Sequence, residues 1–455
     1  VAEYLQCSLC DELSGTIDDC CCDVETVDST NEEHFLPILQ QLTNTTYFKY
    51  FKVDLWRDCP FWQEDGMCMA RDCAVCECDP NEIPQELIDS DEDEARARGP
   101  PEECDEQSGG HELAKIQFGG EEAGRAFHEW KLGTAVDADD GEGDSGGDSV
   151  LAWTVQDEDS PGMTYVNVAM NPERDTKYTG ANTRRVWGSV YKENCFDGPF
   201  DGLCFEERVF QRIISGIQGS ISSHIAAQYS QGDGTFGPNL DLYLRMIGRH
   251  PDRLKNLYFT YLFVMRAIAK AKPILEGLLV NTGVPDDDQR TRELLASLTS
   301  QEVPAVLRGF DESSMFKVKA EELVAECPPV LHGLEDLHDL QHRYVDEAAK
   351  KAKLKDSFRA KFHNISRIMD CVGCEKCRLW GKLEFLGVGT AMKILFDDDA
   401  THGPNVKLTR NEVIALVTVV KQLAESLSYI PLMRGLEEQR MLWRVGAGVG
   451  GIIAL

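Results

Sequence analysis

The chain is short of several things at once. Its 455 residues contain no run of eighteen apolar side chains, so no membrane-spanning helix is expected. No Gly-x-Gly-x-x-Gly follows a strand-like run, and strands do not alternate with helices, which argues against a doubly wound nucleotide-binding sheet. No internal repeat is visible. Basic residues are scarce: 46 Lys and Arg stand against 78 Asp and Glu, for a net charge of −32. Such a surface repels nucleic acid and anionic lipid. Any partner must tolerate an acidic face or bring basic groups.

Cysteine is what the chain has in quantity, with seventeen. They fall as Cys7, Cys10, Cys20, Cys21 and Cys22, then Cys59, Cys68, Cys73, Cys76 and Cys78. Cys104, Cys195, Cys204, Cys327 and the triplet Cys371, Cys374 and Cys377 follow. A cytosolic chain this rich in thiols binds metal as a rule, and a secretory one forms disulfides. Two sequons, at Asn44 and Asn364, favour the secretory reading and mark both asparagines as expected glycosylation sites. The start at Val1 rather than Met is compatible with a removed signal peptide. The apolar stretch from Val445 to Leu455 is too short to span a bilayer and is read as a disordered or truncated tail.

Four regions are expected. Residues 1–86 form a Cys-rich, loop-rich part with one short helix near His34–Leu42. Residues 87–149 carry the run Asp89–Glu94 and an Asp/Gly/Ser-rich stretch, read as a mobile, solvated, acidic loop region. Residues 150–430 are helical, and 431–455 are the tail. Val209, Phe210, Ile213, Ile214, Ile217 and Ile221 make an apolar helical stripe within Glu206–Tyr229. Leu254–Leu279 reads as a long helix broken or kinked at Pro273, and Glu335–Asp370 as another. Thr409-Arg-Asn-Glu412 is a capping box ahead of Val413–Leu427. The fold class is mostly α, with a disulfide-stapled amino-terminal part.

The triplet carries the chemistry. Cys374 and Cys377 lie one helical turn apart and can close a short, reducible disulfide, leaving Cys371 to tie the segment elsewhere. A bacterial ferredoxin cluster would need a fourth Cys where Gly381 stands. A zinc site built from the triplet with His363 or with Cys73, Cys76 and Cys78 is the alternative. Arg378, or the amino end of a following helix, would stabilise thiolate here and activate exchange. Cys68 and Cys73 offer a second dithiol on a polar stretch, where a structural disulfide is the competing reading.

Several stretches resemble the endoplasmic reticulum oxidoreductin family. They are Cys-Pro-Phe-Trp at 59–62, Arg-Asp-Cys-Ala-Val at 71–75, Asn-Pro-Glu-Arg at 171–174, Glu-Asn-Cys-Phe at 193–196 and Leu-Lys-Asn-Leu-Tyr-Phe at 254–259. The nineteen residues 364–382, which hold the triplet, are the most specific. The resemblance implies an FAD-dependent thiol oxidase of the endoplasmic reticulum lumen. It would take electrons from protein disulfide isomerase or related thioredoxin-fold proteins and pass them to molecular oxygen, yielding hydrogen peroxide. It also implies a single helical flavin-binding fold and a lumenal location, with peripheral membrane association as a further expectation. No carboxy-terminal retention tetrapeptide is present, so retention would need a partner or more of the tail.

By position, Cys68 and Cys73 resemble the shuttle pair and Cys374 and Cys377 the flavin-proximal pair, with Cys377 delivering electrons. Cys59 and Cys371, and Cys195 and Cys204, resemble structural bridges. Cys7, Cys10, Cys20 and Cys22 resemble amino-terminal staples. Cys78 matches a regulatory partner of Cys73, and Cys104 one of Cys68. The implied flavin ligands are Arg174, Thr176, Trp187, Ser215, Gln218, Arg253 and Arg266, and no metal is implied. Arginines suit a diphosphate, and Trp offers a stacking face. Gln218 stands where the family usually has His; it can hydrogen-bond but carries no charge. Arg253 and Arg266 are thirteen residues apart, about 220° around an ideal helix, so helical spacing alone does not bring them together. The competing class is a non-enzymatic, Cys-stapled or zinc-binding secretory protein.

Overall fold

A computed structural model of the chain describes residues 24–59, 61, 73–98, 153–155, 157, 160, 162–172, 183–194, 205–300, 303, 306–307, 345–396 and 406–450. Helices dominate. α1 (Val24–Thr30), a π-helical turn (Asn31–Phe35), α2 (Leu36–Leu42) and α3 (Thr46–Lys49) open the described chain. They extend the single short helix expected near His34–Leu42. β1 (Tyr50–Val53) pairs antiparallel with β2 (Thr164–Asn167), with Tyr50 opposite Asn167 and Val53 opposite Thr164. Between them in sequence lies α4 (Gln85–Arg98), and after β2 comes α5 (Thr183–Asn194). α6 (Phe205–Ala227) leads to the small hairpin of β3 (Tyr229–Ser230) and β4 (Phe236–Gly237). α7 (Leu240–Tyr243) follows, then α8 (Pro251–Lys270), α9 (Lys272–Glu276) and α10 (Pro285–Leu298). α11 (Val345–Met369), α12 (Glu375–Phe396) and α13 (Arg410–Gly450) complete the series.

The core is a bundle of α6, α8, α12 and α13, each packed on at least two of the others. α8 is apolar almost all round: Leu257, Phe259, Tyr261, Leu262, Phe263 and Val264 are all fully buried. Backbones meet closely where glycine allows it. A β-carbon on Gly216 of α6 would lie 1.9 Å from Thr260 Oγ1 and 2.4 Å from the Asn256 carbonyl oxygen of α8. Phe210 of α6 stacks on Phe358 of α11 at 5.0 Å, which seats α11 beside the bundle.

Three expectations change. α8 ends at Lys270, and the break falls at Ala271 (φ −78°, ψ 0°) rather than at Pro273, which sits in the first turn of α9. Proline suits a first turn, where its missing N–H has no intrahelical partner. The run Asp89–Glu94 is not a solvated loop: it lies on α4, and Asp91 is buried. Arg410 Nε and Nη2 reach the two Asp91 oxygens at 2.8 Å each, and the Tyr165 hydroxyl donates to the same carboxylate at 2.6 Å. The expected boundaries at 86/87 and 430/431 both fall inside helices, α4 and α13.

α13 starts where expected. Thr409 N–H donates to Glu412 Oε2 (2.8 Å) and Glu412 N–H to Thr409 Oγ1 (3.2 Å), the two reciprocal bonds of a capping box. The helix then runs through Pro431 to Gly450, so the expected tail is helical as far as Gly450, and 451–455 lie outside the described residues. Its Arg410–Leu442 part is long and apolar enough to cross a membrane, yet 78% of the apolar window is buried inside the protein. It is therefore the core helix of the bundle.

Candidate functional site: a dithiol at a helix amino end

The inner pair is closed. Cys374 and Cys377 form a disulfide with Cα atoms 5.1 Å apart. Cys374 immediately precedes α12 and Cys377 lies in its first turn, where unsatisfied N–H groups and the helix dipole favour negative charge. The Cys377 N–H points at Cys374 Sγ, 3.3 Å away. Charge that builds as the bond opens therefore meets a positive helix end. The Arg378 guanidinium donates to the carbonyls of Val372 (2.8 Å) and Leu55, fastening two backbone turns together. Cys374 is buried and Cys377 half-buried.

Cys371 is joined to Cys59, 312 residues away in sequence, with Cα atoms 4.5 Å apart. Charges reinforce this tether from both sides. Arg57 pairs with Asp157 (3.3 Å), Asp157 with Lys382 (2.9 Å), and Lys382 with Asp370 (2.6 Å), the residue before Cys371. Burial raises the Asp370 carboxyl despite Lys382, which pulls the other way. Nearby His363 is pushed down to about 4 by burial, with the charges of Arg367 and Arg57 adding to the effect. It is thus neutral near pH 7. Among the described residues no cluster of His, Cys, Asp or Glu is placed to hold a metal ion.

The tether delivers a second cysteine segment to the same helix end. The Lys376 N–H, between the two inner cysteines, donates to the carbonyl of Cys73 at 3.0 Å. The Val75 N–H donates to Glu375 Oε2 at 2.8 Å. Cys73 and Cys78 are half-buried, and Cys76 is exposed. Cys76 and Cys78 carry free thiols. Burial raises the Cys78 thiol, and Glu82 adds to that.

The implied flavin ligands are only partly visible. Arg174, Thr176, Cys68, Cys104, Cys195 and Cys204 lie outside the described residues, as do Cys7, Cys10, Cys20, Cys21, Cys22 and Cys327. Trp187 lies on α5, with its side chain outside them. Ser215 is buried on α6, where its Oγ accepts from Asn256 Nδ2 at 3.0 Å; Asn256 Oδ1 in turn accepts from Arg212 Nε at 3.1 Å. Gln218 is half-buried one turn on. Arg253 and Arg266 sit in the first and last turns of an unbroken α8, about 20 Å apart along its axis. The unbroken helix keeps their backbones apart, and any approach would have to come from the side chains. Arg253 Nη1 donates to the Met246 carbonyl at 2.6 Å.

A flavin nonetheless fits the donor set. Gln211, Ser215, Gln218 and Ser222 form a polar stripe along one side of α6, at steps of four, three and four. Gln211 is 5% exposed, and both its amide nitrogen and oxygen are buried without a partner. An orphaned amide offering a donor and an acceptor suits a heteroaromatic ring system that presents both. Gln211 and Asn256 join this candidate stripe in the structure and were not singled out from the sequence. The only sequence signal was a Gln one turn before Ser215, within an apolar stripe. Glu384, two turns beyond Cys377, is 1% exposed, and burial lifts its carboxyl well above the usual range against the pull of the Trp380 indole. It is held neutral. A cavity of about 190 Å³ lies between Leu379, Trp380 and Leu383 of α12 and Gln422 of α13. It is smaller than the roughly 300–1,000 Å³ of small-molecule sites, so it cannot hold a whole dinucleotide.

A helical bundle with a closed dithiol at a helix amino end, and a second cysteine segment fastened over it, defines a dithiol–disulfide oxidoreductase. The sequence model of Endoplasmic Reticulum Oxidoreductin 1 (ERO1) matches residues 34–430. The chain is 39% identical over 427 residues to endoplasmic reticulum oxidoreductin-2 of Arabidopsis thaliana, a match that covers 91% of this chain and 78% of that protein. It is 33% identical over 480 residues to ERO1-like protein alpha of Homo sapiens, covering 93% and 91%. A solved structure of a mutant S. cerevisiae Ero1p, 25% identical, superposes with a TM-score of 0.54 over 92% of this chain and 99% of that one. A structure of Ero1p described as the source of disulfide bonds for oxidative protein folding gives 0.56 at the same identity and coverage. The chain belongs to the endoplasmic reticulum oxidoreductin family.

Proposed function

We propose that the chain is a flavin-dependent thiol oxidase that supports oxidative protein folding in the endoplasmic reticulum lumen. The supporting observation is the hydrogen bond from Lys376 N–H to the Cys73 carbonyl, which sets a shuttle cysteine against the inner disulfide. A reduced thioredoxin-fold partner, such as protein disulfide isomerase, attacks the Cys68–Cys73 disulfide. It leaves oxidised, with two thiols now on the shuttle. Cys73 thiolate then attacks the inner pair, forming a mixed disulfide, and Cys68 resolves it. The shuttle is oxidised again and Cys374 and Cys377 hold the electron pair. The helix amino end favours negative charge on the sulfur released as this bond opens. Cys377, in the first turn, is the sulfur that donates onward. FAD, when bound, supplies a two-electron acceptor that molecular oxygen can reoxidise with hydrogen peroxide as product. Gln211, Ser215 and Gln218 orient it, with Arg174, Thr176, Trp187, Arg253 and Arg266 as further ligands.

The test is absorbance together with oxygen uptake. Purified protein should be yellow and should consume oxygen when given a reduced isomerase. Cys377→Ala should abolish uptake with every thiol substrate. Cys68→Ala or Cys73→Ala should abolish it with isomerase and spare part of it with a small dithiol. Colourless, folded, zinc-loaded protein overturns the oxidase reading. Full isomerase turnover by Cys73→Ala overturns the shuttle assignment.

A further inference from the structure

The segment 73–78 is fastened at nearly every residue, and its two supports are different elements. At one end Cys73 accepts from Lys376 N–H, and Val75 N–H donates to Glu375 Oε2. In the middle, Asn171 acts as a surrogate strand. Its Oδ1 accepts from Cys76 N–H at 2.9 Å and its Nδ2 donates to the Cys76 carbonyl at 2.9 Å. The same nitrogen reaches the Asn167 carbonyl at 3.0 Å, and Asn171 is 4% exposed. At the other end Glu77 bridges to Val166 of β2, and Cys78 N–H donates to the Tyr165 carbonyl at 2.9 Å. A buried amide that satisfies both backbone groups of one residue holds that residue in register, as a paired strand would.

From this geometry we infer that Asn171 and Glu375 are positioning residues that clamp segment 73–78 over the Cys374–Cys377 disulfide, and that the clamped form excludes a Cys73–Cys78 disulfide. This rests on the shuttle role proposed for Cys73. A disulfide needs Cα atoms within about 4.4–6.8 Å, and in the fastened segment Cys78 is a free thiol held on β2 while Cys73 is held on α12. Bonding Cys73 to Cys78 therefore requires the stretch to leave its supports and turn back on itself. The exchange needs no outside oxidant. Cys78 thiolate attacks Cys73 Sγ of the Cys68–Cys73 bond, a Cys73–Cys78 bond forms, and Cys68 departs as the thiol, taking up the proton. The clamp thus separates a relaying arrangement from a locked one, and its two side chains set the balance.

The balance can be read by disulfide mapping on the full chain. Protein is equilibrated in glutathione buffers of fixed ratio, acid-quenched, alkylated and digested, and the Cys73–Cys78 and Cys68–Cys73 linkages are quantified. Each net hydrogen bond corresponds to roughly fivefold in an equilibrium. Asn171→Ala should raise the ratio of locked to relaying linkage by roughly 10–30-fold, and Glu375→Ala by roughly fivefold. Glu375→Gln keeps an acceptor oxygen at the same reach and should restore the ratio. In step, oxygen uptake with a protein dithiol should fall relative to uptake with a small dithiol; general destabilisation would lower both alike. Linkage ratios within twofold of wild type in both alanine variants overturn the clamp. If Asn171→Ala does not fold, the Glu375→Ala and Glu375→Gln pair decides alone. If wild type consumes no oxygen, the oxidase reading fails while the linkage ratios still test the clamp.

Discussion

Replacing Asp91 with Ala tests whether a residue from an acidic run truly holds the fold. In the structure the Asp91 side chain is 8% exposed and that of Arg410 is 2% exposed. The two share parallel bonds of 2.8 Å, and Arg410 Nη1 also donates to the carbonyls of Tyr50 (2.8 Å) and Tyr47 (3.2 Å). Removing Asp91 leaves a buried guanidinium with only carbonyl partners, and a Tyr165 hydroxyl without its acceptor. Breaking a buried pair from one side costs about 3–5 kcal/mol. A charge on a solvated loop would cost less than about 0.5 kcal/mol. Urea unfolding followed by circular dichroism, with disulfides intact, separates the two values. The double variant Asp91→Leu, Arg410→Met removes both charges and should recover at least half the loss, because it strands no ion. The pH dependence fixes the cause. Burial would raise Asp91, but Arg410, with Tyr165 and Lys52, more than offsets it and holds the carboxyl below its usual range. A depressed pKa gives stability that is complete above about pH 4, the unfolded value, and is lost as pH falls through the folded one. The gap between wild type and Asp91→Ala should therefore shrink in strong acid. A gap under about 1 kcal/mol at pH 7, or one indifferent to acid, would refute the argument.

Three further outcomes are expected. Gly216→Ala should destabilise the bundle by roughly 1–3 kcal/mol, because its β-carbon would overlap Thr260 and the Asn256 backbone; thermal unfolding reads this, and flavin content should fall with the displaced Ser215. His363, pushed down to about 4, should weaken the folded state as pH drops from about 6.5 toward that value, since the unfolded chain binds a proton there that the folded one refuses. His363→Gln should flatten the stability profile across that window. For glycosylation, Asn44 is exposed at the end of α2, whereas Asn364 is 8% exposed inside α11 with its amide on Glu193. Protein made through a secretory pathway should lose its glycan shift on endoglycosidase gels in Asn44→Gln and keep it in Asn364→Gln.

What the sequence displays well is local. The capping box at Thr409 and Glu412 and the inner dithiol at Cys374 and Cys377 each depend on residues three apart, a distance any helix enforces. The apolar stripe of α6 likewise predicts its buried face. Asp91 was misread because charge runs usually face water, and its partner is 319 positions away. The Cys59–Cys371 bond, across 312 residues, is not readable from spacing and came with the family resemblance. Asn171 and Glu375 have ordinary identities; their roles exist only once β2, α12 and segment 73–78 meet. Gln211 hid for the opposite reason: it sits in an apolar pattern that already had an explanation.

The Cys59–Cys371 bond and the Lys376–Cys73 contact also act together on the chain between them. Cys59 is tied to Cys371 and Cys73 rests on Lys376, so the described residues that flank 60–72 meet the same helix end. Cys68 is five residues from Cys73, and the covalent chain caps their separation at about 17 Å. That radius bounds where electrons can enter. In the relay proposed above, a reduced partner would meet Cys68 within that radius of Cys73.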